Sequence, residues 1–458
     1  MIKRLKIKLK ISFDRIRNEK FKENLLQAIP FWLGSIITGL IAVLYAKLFA
    51  LAEEGTAFIF QHTAWLFFIL TPVCFLLSWW LVKKFAPFSK GSGIPQVMAA
   101  IELANPKHNY KVDKLLSIRI IIVKICSSLV MVFGGGVVGR EGPTIQIAGS
   151  VFRKINQWLP QWWPKISKRN MIMTGAAAGL AAAFNTPLGG IVFAVEELTK
   201  THISYFKTAL FSAVIIAGLT AQGLLGPYLY LGYPDVSNLS AWIIFSVIAV
   251  AIVAGLAGSS MAKLILSLFK WKSTFKYTYQ HVMYIVLCAL IIASLAFFVN
   301  ERVFGSGKEL MATTLFTADK NVAWYMPILR IVGPVLSFTT GGAGGVFAPA
   351  LSGGASIGSL MAGWFQLTDT NTNLLVLCGM VSFLTGVTRT PFTSAILVLE
   401  MTDRHNVIFH LMLAGMIAGL VSRIIDRHSF YDHLKYQYIH DIHKEESAIN
   451  DEAEKGQV

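Results

Sequence analysis

The residue best suited to chemistry in this chain is a carboxylate in a glycine-lined turn, Gly139-Arg140-Glu141-Gly142-Pro143. It follows the run Gly134-Gly135-Gly136 within an apolar region. Glycine lets the main chain turn sharply and present its N–H groups. Proline suits the first helical turn, where a missing N–H costs nothing. The motif therefore predicts a helix N-terminus whose free amides and positive dipole end face an anion. Ionised, Glu141 is itself an anion and can fill such a nest; protonated, it can leave and admit a mobile one. A carboxylate at membrane depth costs at least about 2.5 kcal/mol, so its presence there argues for a function.

Two further stretches share the design. Lys90-Gly91-Ser92-Gly93-Ile94-Pro95-Gln96 sets a hydroxyl, Ser92, and the amides of Gly93 and Ile94 ahead of a helical run. Taken alone, it reads equally well as an ordinary turn with a serine cap. Gly345-Val346-Phe347-Ala348-Pro349 offers the amides of Val346, Phe347 and Ala348, as Gly142 does in the first motif. Helix starts within a membrane are tolerated where they line a cavity. Three positive helix ends could hold an anion without a full charge, which leaves it free to depart quickly. Glu196 and Glu197 close an alanine- and glycine-rich apolar stretch. Neighbouring helical side chains point about 100° apart, so at most one of the two lines a path. One reading is a proton-handling acid, the other an interfacial helix end. Gly305-Ser306-Gly307 echoes Gly91-Ser92-Gly93 without the proline and reads as structural, in a loop over 299–317.

The elements that must position these groups are membrane helices. The chain has 458 residues, 54% of them hydrophobic and 14% charged, with mean hydropathy +0.58. That composition excludes an ordinary soluble domain and leaves room for roughly ten or more helices, an all-α polytopic fold. The net charge of +16 sits at the chain ends and in short loops. It is read as topology and headgroup contact, with no nucleic-acid partner. The basic N-terminus lacks the apolar core of a cleavable signal. Lys165, Lys168 and Arg169 beside Trp158, Trp162 and Trp163 mark an interface. Cys74, Cys126, Cys288 and Cys378 lie in apolar runs and are expected to be buried, inert thiols. His428, His433, His440 and His443 match no standard metal spacing, so no metal is expected. A metalloprotease His-Glu-x-x-His, paired catalytic aspartates and a serine–base motif are missing from the spans, which argues against an enzyme.

The second half rhymes with the first. Gly345 and Pro349 match Gly139 and Pro143 at an offset of 206, and Gly379, Thr390-Pro391 and Glu400 match Gly175, Thr186-Pro187 and Glu196 at an offset of 204. Phe347 stands where Glu141 does, so one half alone carries the titratable group. A duplication with glycine- and proline-broken segments in corresponding places predicts a binding site at the repeat interface near the midplane. The expected divisions are a basic terminus over 1–28, repeats over 29–232 and 233–435, and a polar tail over 436–458.

Gly-Ser-Gly-Ile-Pro, Gly-Arg-Glu-Gly-Pro and Gly-Val-Phe-Ala-Pro, in that order in a duplicated membrane chain, resemble the CLC family of chloride channels and proton-coupled chloride transporters. The likeness spans about residues 30–435. It implies two inverted-topology repeats of tilted and broken helices, and a homodimer with one pore per subunit. It implies that Ser92, the amides of Gly93, Ile94, Gly142, Val346, Phe347 and Ala348, and the hydroxyl of Tyr431 hold chloride. Glu141 matches the gating glutamate and Glu197 the internal proton-transfer glutamate. Ser92 in the first motif favours chloride over nitrate, and the intact Gly-Arg-Glu-Gly-Pro argues against the fluoride-exporting branch. Gln96, Val97 and Met98 stand where many transporter relatives have acids, which would leave Lys124, inside a span, without its usual partner. The implied activity is H+/Cl− exchange with no cofactor and no soluble regulatory domain, in a bacterial inner membrane with both termini cytoplasmic. The alternative is a passive chloride channel using the same pore.

Overall fold

The structure, a computed structural model, describes residues 10–11, 13–14, 17–199, 207–226, 229–318 and 320–455. The first repeat contains α1 (Glu19–Thr63), α2 (Phe67–Phe85), α3 (Ile94–Leu103), α4 (Ile118–Phe133), α5 (Glu141–Trp158), α6 (Lys168–Phe184), α7 (Pro187–Phe193) and α8 (Lys207–Leu225). The second contains α9 (Ile243–Lys272), α10 (Thr278–Phe298), α11 (Lys308–Phe316), α12 (Met326–Thr339), α13 (Phe347–Trp364), α14 (Asp369–Thr388), α15 (Pro391–Thr402) and α16 (Ile408–Ile425), followed by α17 (Phe430–Lys455). Extended pairing among the described residues is limited to two isolated bridges. Among the described residues seven helical stretches are long and apolar enough to cross a membrane, and α3, α12 and α15 are shorter apolar helices. The protein is an all-helical, multi-pass membrane protein. Leu33, Ile36, Leu40, Leu44, Leu48 and Leu51 lie exposed along α1 at helical spacing, a stripe suited to lipid. By contrast α14 is buried along almost its whole length and forms the centre of the second repeat.

Local chemistry sets the helix ends. Asn18 and Ser117 accept the N–H groups of Phe21 and Ile120 at 3.0 and 3.4 Å, the usual N-cap bond. Proline opens α3, α7, α12 and α15. Gly93 and Gly307 precede α3 and α11 with φ of +105° and +86°, a left-handed turn that favours glycine. The Gly305-Ser306-Gly307 echo thus repeats the backbone course of Gly91-Ser92-Gly93. The 299–317 stretch is accordingly half helix, α11, where the sequence suggested a loop.

Other expectations also change. The apolar segments at 29–52 and 62–83 become a 45-residue α1, continuous through Pro30, and the separate α2. Cys126 is exposed while the other cysteines are buried, because it falls on the outward face of α4. The division at 435/436 falls inside α17, whose Tyr438 and Ile442 are buried. Lys111 and Lys114 pair with Glu446 and Glu445 at 2.5 and 2.9 Å, which docks α17 on the segment after α3. Arg153 at the end of α5 bonds Asn109 in that same segment, and Trp163 donates to the Leu26 carbonyl at 2.7 Å.

Main-chain bonds join matched positions of the two halves reciprocally. Gly139 and Gly345, equivalent at the offset of 206, exchange N–H···O bonds of 2.7 Å in both directions. The same reciprocity appears at the other conserved offset. The Glu196 carboxylate accepts the N–H groups of Phe392 and Thr393 at 3.2 and 2.7 Å, capping α15. The Glu400 carboxylate accepts those of Leu188 and Gly189 at 3.0 and 2.7 Å, capping α7. Each acid closes the opposite repeat's helix, where an anion also meets the positive dipole end. Glu196→Ala and Glu400→Ala should each lower stability by about 1–3 kcal/mol by leaving N–H groups unpaired. Thermal unfolding in detergent should give similar losses for both, and a loss in one alone would contradict reciprocal capping.

Candidate functional site

The site grows from the bridge between Gly139 and Gly345, which brings the starts of α5 and α13 together. Gly91 extends the contact: its N–H donates to the Gly342 carbonyl at 2.8 Å, and its own carbonyl accepts from Gly344 at 3.1 Å. The start of α3 therefore meets the other two. Main-chain polar groups at membrane depth must be satisfied inside the protein, and these bonds let three helices begin there.

The side chains follow from that frame. Gly142 lies so close to Ser92 that a Cβ there would collide with the Ser92 hydroxyl. The Glu141 carboxylate folds back over Gly139, beside Ala348, and a Cβ on Gly139 would strike it. The amides of Glu141 and Ala348 face that carboxylate. The Tyr230 hydroxyl reaches Oε1 of Glu141 at 3.5 Å, at the outer limit of a hydrogen bond. The rings of Tyr230, Phe184 and Phe347 follow one another, with centroids 5.1 and 6.1 Å apart. Tyr431, at the start of α17, turns its hydroxyl toward Ser92, near enough to interact but outside direct hydrogen-bond geometry. The structure thus brings Ser92, Gly93, Ile94, Gly142, Val346, Phe347, Ala348, Tyr431 and Glu141 into one buried region.

Three polar atoms there are buried without a hydrogen-bond partner among the described residues: Ser92 Oγ, Tyr431 OH and Glu141 Oε2. Leaving a buried donor or acceptor unsatisfied costs about 1–3 kcal/mol each. Their convergence on helix N-termini is what a small anion site requires, with hydroxyl and amide donors around it and no metal-ligand set.

Lys124 belongs to this frame. It is fully buried, and its ammonium donates to the Ser89 and Gly91 carbonyls at 2.8 Å each. Main-chain oxygens replace the carboxylate partner that the sequence comparison made it lack. Arg330 stands 206 residues later and does the same for the second repeat. Its guanidinium donates to the carbonyls of Val303, Phe304 and Gly305 at 3.1, 3.3 and 3.4 Å. The offset that identified the duplication also pairs these two cations, so this correspondence was open to sequence reading. Nothing in the sequence could have found Tyr230, which lies outside every motif and reaches Glu141 through the fold alone.

The adjacent acids separate. Glu196 caps α15 and is half-buried, while Glu197 points inward and is 3% exposed. The turn Ala194–Thr199 is wound as a π-helix, which shifts the two carboxylates relative to a regular helix. Tyr431 lies within electrostatic reach of both Glu197 and Glu141.

A helical membrane protein in which the starts of three helices meet around buried, unpartnered hydroxyl and carboxylate groups has the architecture of a membrane transport protein. A model of the family described as voltage gated chloride channel matches residues 74–423, and the chain belongs to that family. The chain is 28% identical over 421 residues to the H(+)/Cl(−) exchange transporter ClcA of Cronobacter sakazakii, covering 87% of each. It is 26% identical to the protein of the same name from Salmonella paratyphi C, covering 97% of this chain and 96% of the relative. Among solved structures it resembles a slow cyanobacterial Cl−/H+ antiporter, with TM-score 0.78, 22% identity, and 90% of this chain and 98% of the other covered. It also resembles a CLC-type fluoride/proton antiporter, with TM-score 0.74, 21% identity and the same coverage. These two likenesses concern the fold.

Gly142→Ala should weaken halide binding at least about tenfold, since overpacking costs about 1–3 kcal/mol and the displaced group is the Ser92 hydroxyl. Calorimetric titration of the purified protein with chloride tests this; unchanged affinity would separate Ser92 from the anion site.

Proposed function

We propose that this protein exchanges chloride for protons across a membrane, and that Glu141 and chloride take turns in the amide-lined site beside Ser92. The observation that carries this reading is the position of the Glu141 carboxylate, folded over Gly139 and facing the amides at the starts of α5 and α13. A carboxylate and a halide need the same environment there, namely N–H and O–H donors and the positive ends of helices. When ionised, Glu141 fills the outer part of the site. When protonated, it loses its claim on the amides, swings out and admits chloride. Ser92, with the amides of Gly93 and Ile94, holds the ion from the α3 side. The amides of Gly142, Val346, Phe347 and Ala348 hold it from the bridge, and the Tyr431 hydroxyl closes the site toward the face bearing α17. Lys124, bound to the Gly91 carbonyl, adds positive potential without touching the ion.

Protons reach Glu141 from the α17 side by way of Glu197, whose buried carboxyl interacts electrostatically with Tyr431 near the same region. One site shared by a titratable carboxylate and the anion couples the two flows in opposite directions. The names of the relatives, exchange transporters and antiporters, support the same reading. We place the chain in a bacterial inner membrane with both termini cytoplasmic, as the basic residues at its start suggest. It works as a homodimer with one path per chain, as the family resemblance implies.

In liposomes, chloride efflux from the wild type should drive an opposing proton flux, seen as a change in external pH. Glu141→Gln should reduce proton movement to background while chloride still flows, because the amide neither titrates nor competes as an anion. Persistent proton transport in that variant would refute the mechanism. Glu197→Gln should likewise uncouple the flows, and stoichiometric exchange in it would remove Glu197 from the route. Wild-type chloride flux with no pH change would identify a passive channel instead.

A further inference from the structure

We propose that Asp426, His428 and His433 form a binding site for a first-row transition ion, zinc fitting best, which clamps the turn carrying Tyr431. One potential ligand atom from each of the three residues lies within 4.8 Å of the others. The sequence pattern gives no zinc signature, because the grouping depends on the bend between α16 and α17. Asp426 ends α16 in extended conformation, and His433 lies on the first turn of α17. His433 Nε2 and Asp426 Oδ2 are 3.0 Å apart. Two ligands of a tetrahedral zinc ion, with bonds of about 2.0–2.1 Å, stand about 3.3 Å from each other. His428 is exposed and free to rotate into the third position, and the partly open setting leaves a fourth for water. Two imidazoles and a carboxylate suit zinc and its neighbours rather than magnesium or calcium, which prefer oxygen.

The loop is held ready for this. The Asp426 carbonyl accepts from Arg389 at 3.2 Å, and its Oδ1 accepts the His428 N–H at 2.9 Å. Ser429 accepts the Asp432 N–H at 3.0 Å, closing the first turn of α17. The cationic side chains of Arg389 and Arg423 nearby oppose a metal ion and weaken its binding. His428 and His433 flank Tyr431 in sequence, and the Tyr431 hydroxyl faces Ser92 in the anion site. An ion bound to both histidines fixes the turn from which Tyr431 projects, and so slows passage of chloride past it. The site itself is independent of the exchange mechanism; only this consequence rests on it.

The test is calorimetric titration of the full chain, without added histidine tags, with zinc sulfate. We expect about one ion per chain, no response to magnesium sulfate, and at least about tenfold weaker binding in His428→Ala. His428 is exposed, so its removal spares the fold. The absence of saturable zinc binding, or unchanged binding in His428→Ala, would overturn the proposal and reduce the cluster to an ordinary Asp426–His433 ion pair. In liposomes with zinc on both sides, chloride flux should slow several-fold in the wild type and stay unchanged in His428→Ala. Zinc that binds without slowing flux would overturn the clamp. Wild-type liposomes that pass no chloride even without zinc would count against the exchange reading instead.

Discussion

The structure depends on a pair of main-chain hydrogen bonds, those exchanged by Gly139 and Gly345. A helix that begins inside a membrane leaves N–H groups that neither lipid nor its own carbonyls can satisfy. Two such helices placed back to back, with their leading residues bonded to each other, solve part of that problem. The remaining free amides then point into a common space. The exchange is reciprocal, since each residue of the pair does for its partner what the partner does for it. Duplicating one unit supplies both halves of the arrangement, and the Glu196 and Glu400 caps extend the same exchange to a second pair of helix starts.

The electrostatics of the site follow from the same constraint. Buried full charges are expensive unless hydrogen-bonded, and Lys124 and Arg330 each bind main-chain oxygens of a Gly-Ser-Gly turn. Their charge stabilises the turns and shapes the local potential, while the hydroxyls of Ser92 and Tyr431 nearby are neutral and without a hydrogen-bond partner among the described residues. Among the three glycine–proline motifs the one carboxylate is Glu141. At the matched position the second half carries Phe347, so this carboxylate has no counterpart there.

Much of this could be read in advance. The hydrophobic share of the chain, the glycine–proline motifs and the offsets of 206 and 204 pointed to a helical membrane protein with three interrupted helices around one site. The starts of α3, α5 and α13 do meet, with Ser92 and Glu141 buried beside the bridge. Other features escaped. Cys126 sits in a run as apolar as those of the other cysteines, and only the orientation of α4 exposes it. The stretch holding Gly305-Ser306-Gly307 reads as a loop because α11 is short and its start lacks proline. Lys124 looked orphaned because its partners are carbonyls, which every residue has and no sequence pattern marks.

The sequence by itself determined which residue types are available and at what spacing: where a helix could start, which acid lacks a counterpart in the other half, and that the two halves are copies. Tertiary structure alone decided what those residues touch. Tyr230 reaches Glu141 from an unremarkable loop, Glu196 leaves the path to cap α15 while Glu197 turns inward, and Asp426 gathers His428 and His433 around a bend. Propensity and periodicity are local, set by a few neighbouring residues, whereas these contacts join groups brought together by packing, and packing is a property of the whole chain.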